Sequence, residues 1–294
     1  MNNNYSVIAI LIGVFGFSLK SIFIKLSYLD GITPISLMFF RMVFSIPFFL
    51  MAFLIFKDNF VKTTLQIKLK IILCGFLYYI SSYSDITGLV YTSVNIERII
   101  LFTIPIFVLL ISIVFMKKKF SKKVYFLSFF SWIGVSIAFA SNQVLVAKNT
   151  HYIGPLLIVL SSITYATYLI ISGEVMKKIG FIVFNSQVMI IACLFSLIPM
   201  LFEMSGTIEN LQSVNNFKYP LFLAIFSTVI PSFFMMYGVK HSGAATTAII
   251  NNIGPFITMI CGYLFLKESI GLFDVIGMCT VMFCVISINK VKQK

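Results

Sequence analysis

SYSDITGLVYTSVNIERIILFTIP, residues 82–105, joins two strongly apolar runs and yet carries Asp85, Glu97 and Arg98. An ionised side chain at membrane depth costs about 2.5–3.5 kcal/mol even on lenient insertion scales, so each needs a partner or a purpose. The surroundings confirm that the depth is real. The 294 residues are 60% hydrophobic and only 11% charged, with a mean hydropathy of +1.03. A soluble domain carries roughly 25% charged residues, so this chain cannot cover its surface in water. Its net charge of +13 would suggest nucleic acid in a soluble protein. Here the basic residues sit in short connectors between apolar runs, the pattern of cytoplasmic loops, and no nucleic-acid partner is expected. The five cysteines lie inside apolar segments without CxxC spacing, which implies neither a disulfide framework nor a zinc site. His151 and His241 lie in or near separate loops, so no metal is expected either. The first apolar run is too long for a signal-peptide core and reads as a retained helix.

At roughly 20 apolar residues per span, ten spans are predicted, at about 6–29, 33–56, 69–90, 93–116, 124–142, 153–174, 181–202, 218–238, 243–266 and 271–289. The residues from Glu203 to Phe217 are the one stretch long enough to be a real loop. With the N-terminus inside, the cytoplasmic loops hold Lys57, Lys62, Lys68 and Lys70, the group at 117–123, and then Lys177, Lys178, Lys240, Lys290, Lys292 and Lys294. The opposite side keeps Lys148, Lys218 and Lys267. The positive-inside rule therefore places both termini in the cytoplasm.

A shift of 150 residues aligns 68–138 with 218–288 without a gap. Lys68 falls on Lys218, Phe76 on Phe226, Gly88 on Gly238 and Pro105 on Pro255. Five spans per repeat, an odd number, insert the second half upside down. The expected fold is thus an all-α integral membrane protein of ten transmembrane helices in two inverted five-helix repeats, 1–146 and 147–294. In such plans the binding site lies near midplane between the halves.

On these residues the chain resembles the drug/metabolite transporter superfamily, in its EamA-type branch of ten-helix permeases. The resemblance rests on GFSLKSIFIKL (16–26), on Arg41 within FFRMVFSIPFF (39–49), and on GLVYTSVNIERIILFTIPIFVLL (88–110). In the second half it rests on GVKHSGAATTAIINNIGPFITMICGYLFLKESI (238–270). One departure is that Lys117-Lys118 stands where a Gly-Glu usually closes the fourth helix. The resemblance implies movement of a small solute by alternating access. Export of amino-acid-like or other small polar metabolites across a bacterial inner membrane is the expected activity, and uptake of a nucleotide-like or adenosyl compound is the alternative. The expected partners are the solute and the lipid bilayer, with proton coupling a further expectation and a monomer or homodimer as the working unit. No ATP-binding motif is present, no cofactor is expected, and two loop histidines do not make the constellation that a membrane-embedded enzyme would need.

The candidate site residues follow from charge and depth. Asp85 and Arg98 are equally far from the apex near Tyr91-Thr92, so the two are expected to pair, either as a structural bridge or as a gate or proton-coupling site. Glu97 then needs another partner, and Lys20, too deep to snorkel fully, is the candidate. With Arg41 and Lys25 the cluster is more positive than negative, suiting a carboxylate or phosphate. Tyr78, Tyr79 and Tyr83 on the third helix, and Tyr165 with Tyr168 three residues apart on the sixth, are candidates for an aromatic wall. Asn251 and Asn252 precede Gly254-Pro255, where the lost helical hydrogen bond frees a carbonyl. Pro105, Gly254 and Pro255 are the candidate hinges.

Overall fold

The computed structural model describes residues 3–56, 63–116, 122–143, 152–202, 217–235, 237–238, 250 and 253–292. Among these residues the chain is entirely helical, with no strand. The helices are α1 (Asn3–Leu29), α2 (Pro34–Phe56), α3 (Leu65–Tyr91), α4 (Val94–Leu101), α5 (Ile104–Met116) and α6 (Lys122–Gln143). Then come α7 (Ile153–Ile179), α8 (Phe181–Phe202), α9 (Lys218–Met235), α10 (Gly254–Leu266) and α11 (Leu272–Lys292). Seven of the helical segments are long and apolar enough to cross a membrane, and three shorter apolar stretches lie at Tyr125–Gly134, Gly254–Leu266 and Leu272–Cys284.

Local chemistry sets the helix ends. Pro34 opens α2, where its missing N–H costs nothing, and Thr33 before it accepts from the Ser36 amide at 3.3 Å. Gly180 separates α7 from α8 with a φ of 81°, a conformation that glycine alone adopts without strain, and its N–H returns to the Met176 carbonyl. The predicted 181–202 segment is reproduced at both ends.

The stretch expected as one span over 93–116 is of membrane-spanning length over Val94–Val114, but it is broken into two helices, α4 and α5. The chain leaves α-helical geometry at Phe102 and Thr103, where the Thr103 amide and hydroxyl both return to the Ile100 carbonyl, at 2.9 and 2.6 Å. Pro105 lies in the first turn of α5, so it starts a helix rather than kinking one. Having no N–H, it leaves the Leu101 carbonyl without its helical donor. Pro255 likewise lies in the first turn of α10. α9 carries a different irregularity, a π-helical turn over Ile225–Val229.

Polar and small residues face inward. α3 packs on α7 and α8, α2 on α8 and α9, and α1 on α9 and α10. α6 packs on α11, while α4 and α5 lie against α7 and α4 also meets α10. Close approach needs glycine at the α3–α7 crossing: a Cβ on Gly88 would lie 3.0 Å from the Gly154 carbonyl, and one on Gly154 would lie 2.9 Å from the Gly88 carbonyl. Small residues at such crossings are how helices associate where lipid removes the hydrophobic drive. The outer surface is apolar, with Leu54, Ile55, Phe126, Phe129 and Phe202 all more than half exposed, as a lipid-facing surface requires.

Candidate functional site

The charges in the 82–105 hairpin are arranged by α1, which runs between its two arms. Lys20 and Ser21 are neighbours about 100° apart on that helix, so they serve different arms. Lys20 Nζ donates to Asp85 Oδ2 on α3 at 2.5 Å. Ser21 Oγ donates to Glu97 Oε2 on α4 at 2.9 Å and accepts from Arg98 Nη2 at 2.9 Å. Arg98 Nη2 also donates to the Phe17 carbonyl at 2.7 Å, and its Nε lies 3.3 Å from Glu97 Oε2. The expected partners are therefore exchanged: Asp85 takes Lys20 rather than Arg98, and Glu97 takes Ser21 and Arg98 rather than Lys20. Equal depth in two arms does not make contact when a third helix stands between them.

Asp85 and Glu97 are almost wholly buried, and each keeps one oxygen without a hydrogen-bond partner among the described residues, Asp85 Oδ1 and Glu97 Oε1. Both pairs lie in low dielectric, where attraction and desolvation nearly cancel while the pair is intact. Removing one partner strands the other at about 3–5 kcal/mol.

Arg41 on α2 is buried beside this cluster and bound otherwise. Its Nε donates to Thr228 Oγ1 at 3.0 Å, Nη1 to Ser82 Oγ at 3.2 Å and Nη2 to the Tyr78 hydroxyl at 3.4 Å. The π-helical turn delivers the first of these, because Thr228 Oγ1 donates to the Leu223 carbonyl five residues back and presents its lone pair to the guanidinium. No carboxylate among the described residues lies within ion-pair distance of Arg41.

These groups open on one cavity of about 410 Å³, within the range of small-molecule sites. Lys20, Arg41, Asp85, Arg98, Tyr165 and Tyr168 all line it, and so do the candidate hinge residues Gly254 and Pro255. Glu97 and its partner Ser21 are not among the lining residues. Tyr79 and Tyr83 do not line it: they stack on each other at 5.9 Å, and Tyr79 stacks on Phe195 at 6.2 Å. The face of α3 that carries Asp85 instead presents Tyr78, Ser81 and Ser82, seven, four and three residues back. That helical spacing was available as a signal. Asn251 and Asn252 lie outside the described residues. Ser161, Ser227, Thr228 and Asn185 were not foreseen, since hydroxyls and amides on apolar helices carry no individual signature. Among the described residues no group of His, Cys, Asp and Glu could hold a metal ion.

The cavity reaches the α7–α8 turn, where Met176 and Phe181 line it. Polar contacts tie the helix ends on the opposite side. Tyr28 donates to the Ile86 carbonyl at 2.5 Å, and Lys218 pairs with Asp30 at 2.8 Å. Glu268, in the connector after α10, accepts from the Val94 and Asn95 amides at 3.0 and 3.4 Å. It thereby caps the N-terminus of α4, where a carboxylate meets the positive end of the helix dipole.

The EamA-like transporter family model matches twice, over residues 4–140 and 152–290. The uncharacterized transporter YcbK of Bacillus subtilis (strain 168) is 33% identical over 298 residues, which cover 98% of this chain and 93% of that protein. The uncharacterized transporter YdfC of the same organism is 27% identical, over 90% of this chain and 86% of that one. A solved crystal structure shares the fold, with a TM-score of 0.66 at 9% identity over 99% of both chains. With its apolar, lipid-facing helices and this match across both parts of the sequence, the chain is a multi-pass membrane protein that belongs to the EamA-like transporter family.

Proposed function

We propose that this protein is a secondary, non-ATP-driven transporter that exports small amino-acid-like or other small polar or amphipathic metabolites across the bacterial cytoplasmic membrane by alternating access. The observation that carries the reading is the cavity of about 410 Å³, with Arg41, Lys20–Asp85 and Arg98 on its wall. Charged groups in a membrane bundle stand where a solute or ion passes.

Ten spans in two inverted repeats, 1–146 and 147–294, suit the helix pairing. Counting helices within each half, the third of the first (α3) packs on the first of the second (α7), and the third of the second (α9) packs on the first of the first (α1). α2 meets its counterpart α8, and α6 meets α11. Such reciprocity is what a pseudo-two-fold axis between the halves produces. The twofold family match supports the same division. With both termini cytoplasmic, the end reached at the α7–α8 turn faces the cytoplasm and the end closed by Glu268, Tyr28 and Asp30 faces outward. That is an inward-facing state, with Pro105, Gly254 and Pro255 at the helix breaks about which it would rearrange. Asp85 and Glu97 are the candidate proton carriers, each holding one unpartnered oxygen.

The test is solute flux into proteoliposomes of the purified protein. Saturable uptake with counterflow and no chemical change in the solute is expected. Turnover of the solute, or flux without saturation or counterflow, would sink the proposal. A pH gradient that leaves the flux unaltered would remove proton coupling from it.

A further inference from the structure

We propose that Arg41 seats a carboxylate of the transported solute, so that the cavity selects organic monocarboxylates, zwitterions among them, over their amides and over the matching amines. The inference rests on the transport reading for its purpose, but it is a statement about binding.

Three observations carry it. First, Arg41 is 2% exposed, and its partners among the described residues are all neutral, the hydroxyls of Tyr78, Ser82 and Thr228. A buried charge without a counter-charge is expensive, and hydroxyls offset only part of that. The carboxylates nearby are committed, Asp85 to Lys20 and Glu97 to Ser21 and Arg98. In this cluster Lys20, Arg41 and Arg98 oppose Asp85 and Glu97, three charges against two, and the surplus is Arg41.

Second, the guanidinium is held with donors to spare. Of its five N–H groups, three are used by the described residues, one on each nitrogen. That leaves one N–H on each terminal nitrogen for a carboxylate, which a guanidinium can bind through both. The three hydroxyls come from α3 and α9 and fix the plane of the fork, so little is lost in ordering it when an anion arrives.

Third, two helices begin at the cavity wall. Ile104 opens α5 and Gly254 opens α10, and both residues line the cavity. Their N-terminal ends add partial positive charge to the cavity wall. A single surplus charge suits a monoanion. A phosphate dianion would bring a second negative charge into a cavity that already holds Asp85, whose Oδ1 has no donor among the described residues. That orphaned oxygen suits an N–H or ammonium elsewhere on the solute.

The experiment uses the purified full-length protein in nanodiscs and follows its thermal unfolding. The probes are acetate, benzoate, 4-methylpentanoate and leucine, each against its amide, with 4-methylpentylamine and inorganic phosphate as controls. Saturable stabilisation by one or more carboxylates, with at least a tenfold weaker effect from the matching amide, is expected. In Arg41→Gln the stabilisation disappears. Because Arg41 also ties three helices, Arg41→Lys is the second variant: it keeps the charge without the fork. There the preference for carboxylate over amide persists at several-fold weaker affinity. Stabilisation by no carboxylate in the panel, equal stabilisation by the amides, or an unaltered response in either variant overturns the proposal, as does a preference for phosphate. The outcomes separate from those of the transport reading. Arg41-dependent carboxylate binding without flux would leave the seat and remove the transporter, whereas Arg41-independent flux of uncharged solutes would do the reverse.

Discussion

α3 and α9 occupy matching places 150 residues apart, and they differ in what they bring to the cavity. Tyr78 falls on Thr228, Ser82 on Ser232, Asp85 on Met235 and Gly88 on Gly238. All three polar positions line the cavity in both helices, so the face is shared. The glycines mark close packing in both: Gly88 against Gly154 and Ile158, Gly238 against Ile10. The charge is not shared. α3 stays regular and supplies Asp85 to Lys20, whereas α9 loosens into a π-helical turn and supplies a hydroxyl to Arg41. Where Asp85 takes an ammonium, Met235 lies against α1: a Cβ on Gly13 would lie 2.7 Å from its Cγ. The difference teaches that the framework tolerates duplication and the chemistry does not. Helix crossings recur, and each ion pair is made once.

The sharpest way to break this comparison is Asp85→Asn, which gives α3 a neutral residue at the position where α9 has methionine. It strands the Lys20 ammonium, and a loss of about 3–5 kcal/mol in stability is expected together with most of the transport. Thermal unfolding and flux in proteoliposomes read the two effects. Adding Lys20→Met should recover stability but not flux. If the single substitution leaves both unchanged, the pair has no weight.

The packing side of the comparison is tested next. A Cβ on Gly16 would come within 2.5 Å of the Phe226 carbonyl, a backbone atom, while the three atoms nearest to one on Gly238 all belong to the Ile10 side chain. Gly16→Ala should therefore cost about 1–3 kcal/mol and Gly238→Ala less, since a side chain can turn away. Equal melting temperatures would show that α1 and α9 are free to separate.

A smaller effect is expected from Glu268→Gln. It keeps the shape of the α4 cap and removes its charge, worth about 0.3–1 kcal/mol against the helix dipole. Labelling of a cysteine placed at Tyr91 should rise if the cap helps to hold that end closed. The smallest effect concerns Asp30. Its hydrogen bond to Lys218 holds the Asp30 carboxyl below the usual carboxylate range. A depressed folded value means that the stabilisation is present above the ordinary carboxylate pKa and is lost as pH falls through the lowered one. Wild type and Asp30→Asn should thus differ slightly in unfolding temperature at neutral pH and converge under acid conditions.

The sequence made much of this legible, and its failures have physical causes. Span existence follows from apolar length, which is why 181–202 and the ends of α2 were readable. The break in 93–116 was hidden, because Phe102, Thr103 and Ile104 are as apolar or as helix-tolerant as their neighbours. Only Pro105 marked it, and a proline in a first turn looks in sequence like a proline in a kink. Lys20, Arg41, Asp85 and Arg98 were identifiable as cavity residues because charge in an apolar run has nowhere else to go. Their pairing was not identifiable, since depth along a helix is linear in sequence while facing is not. Tyr78, Tyr79 and Tyr83 read in sequence as one wall, whereas only Tyr78, seven residues before Asp85, shares its helical face and lines the cavity. The hydroxyls around Arg41 had no such cue: serine and threonine in these helices mostly bond their own backbone, as Ser162, Thr164 and Thr167 do.

The Glu268 cap also sets a clock on biosynthesis. The Val94 amide and its carboxylate partner are 174 residues apart. At about 5–20 residues per second, a ribosome takes about 9–35 s to travel between them. For that interval the hairpin on which the charged cluster is built stands in the membrane with this end of α4 uncapped by Glu268. The second arm of the hairpin is thus finished by a residue made 174 positions later.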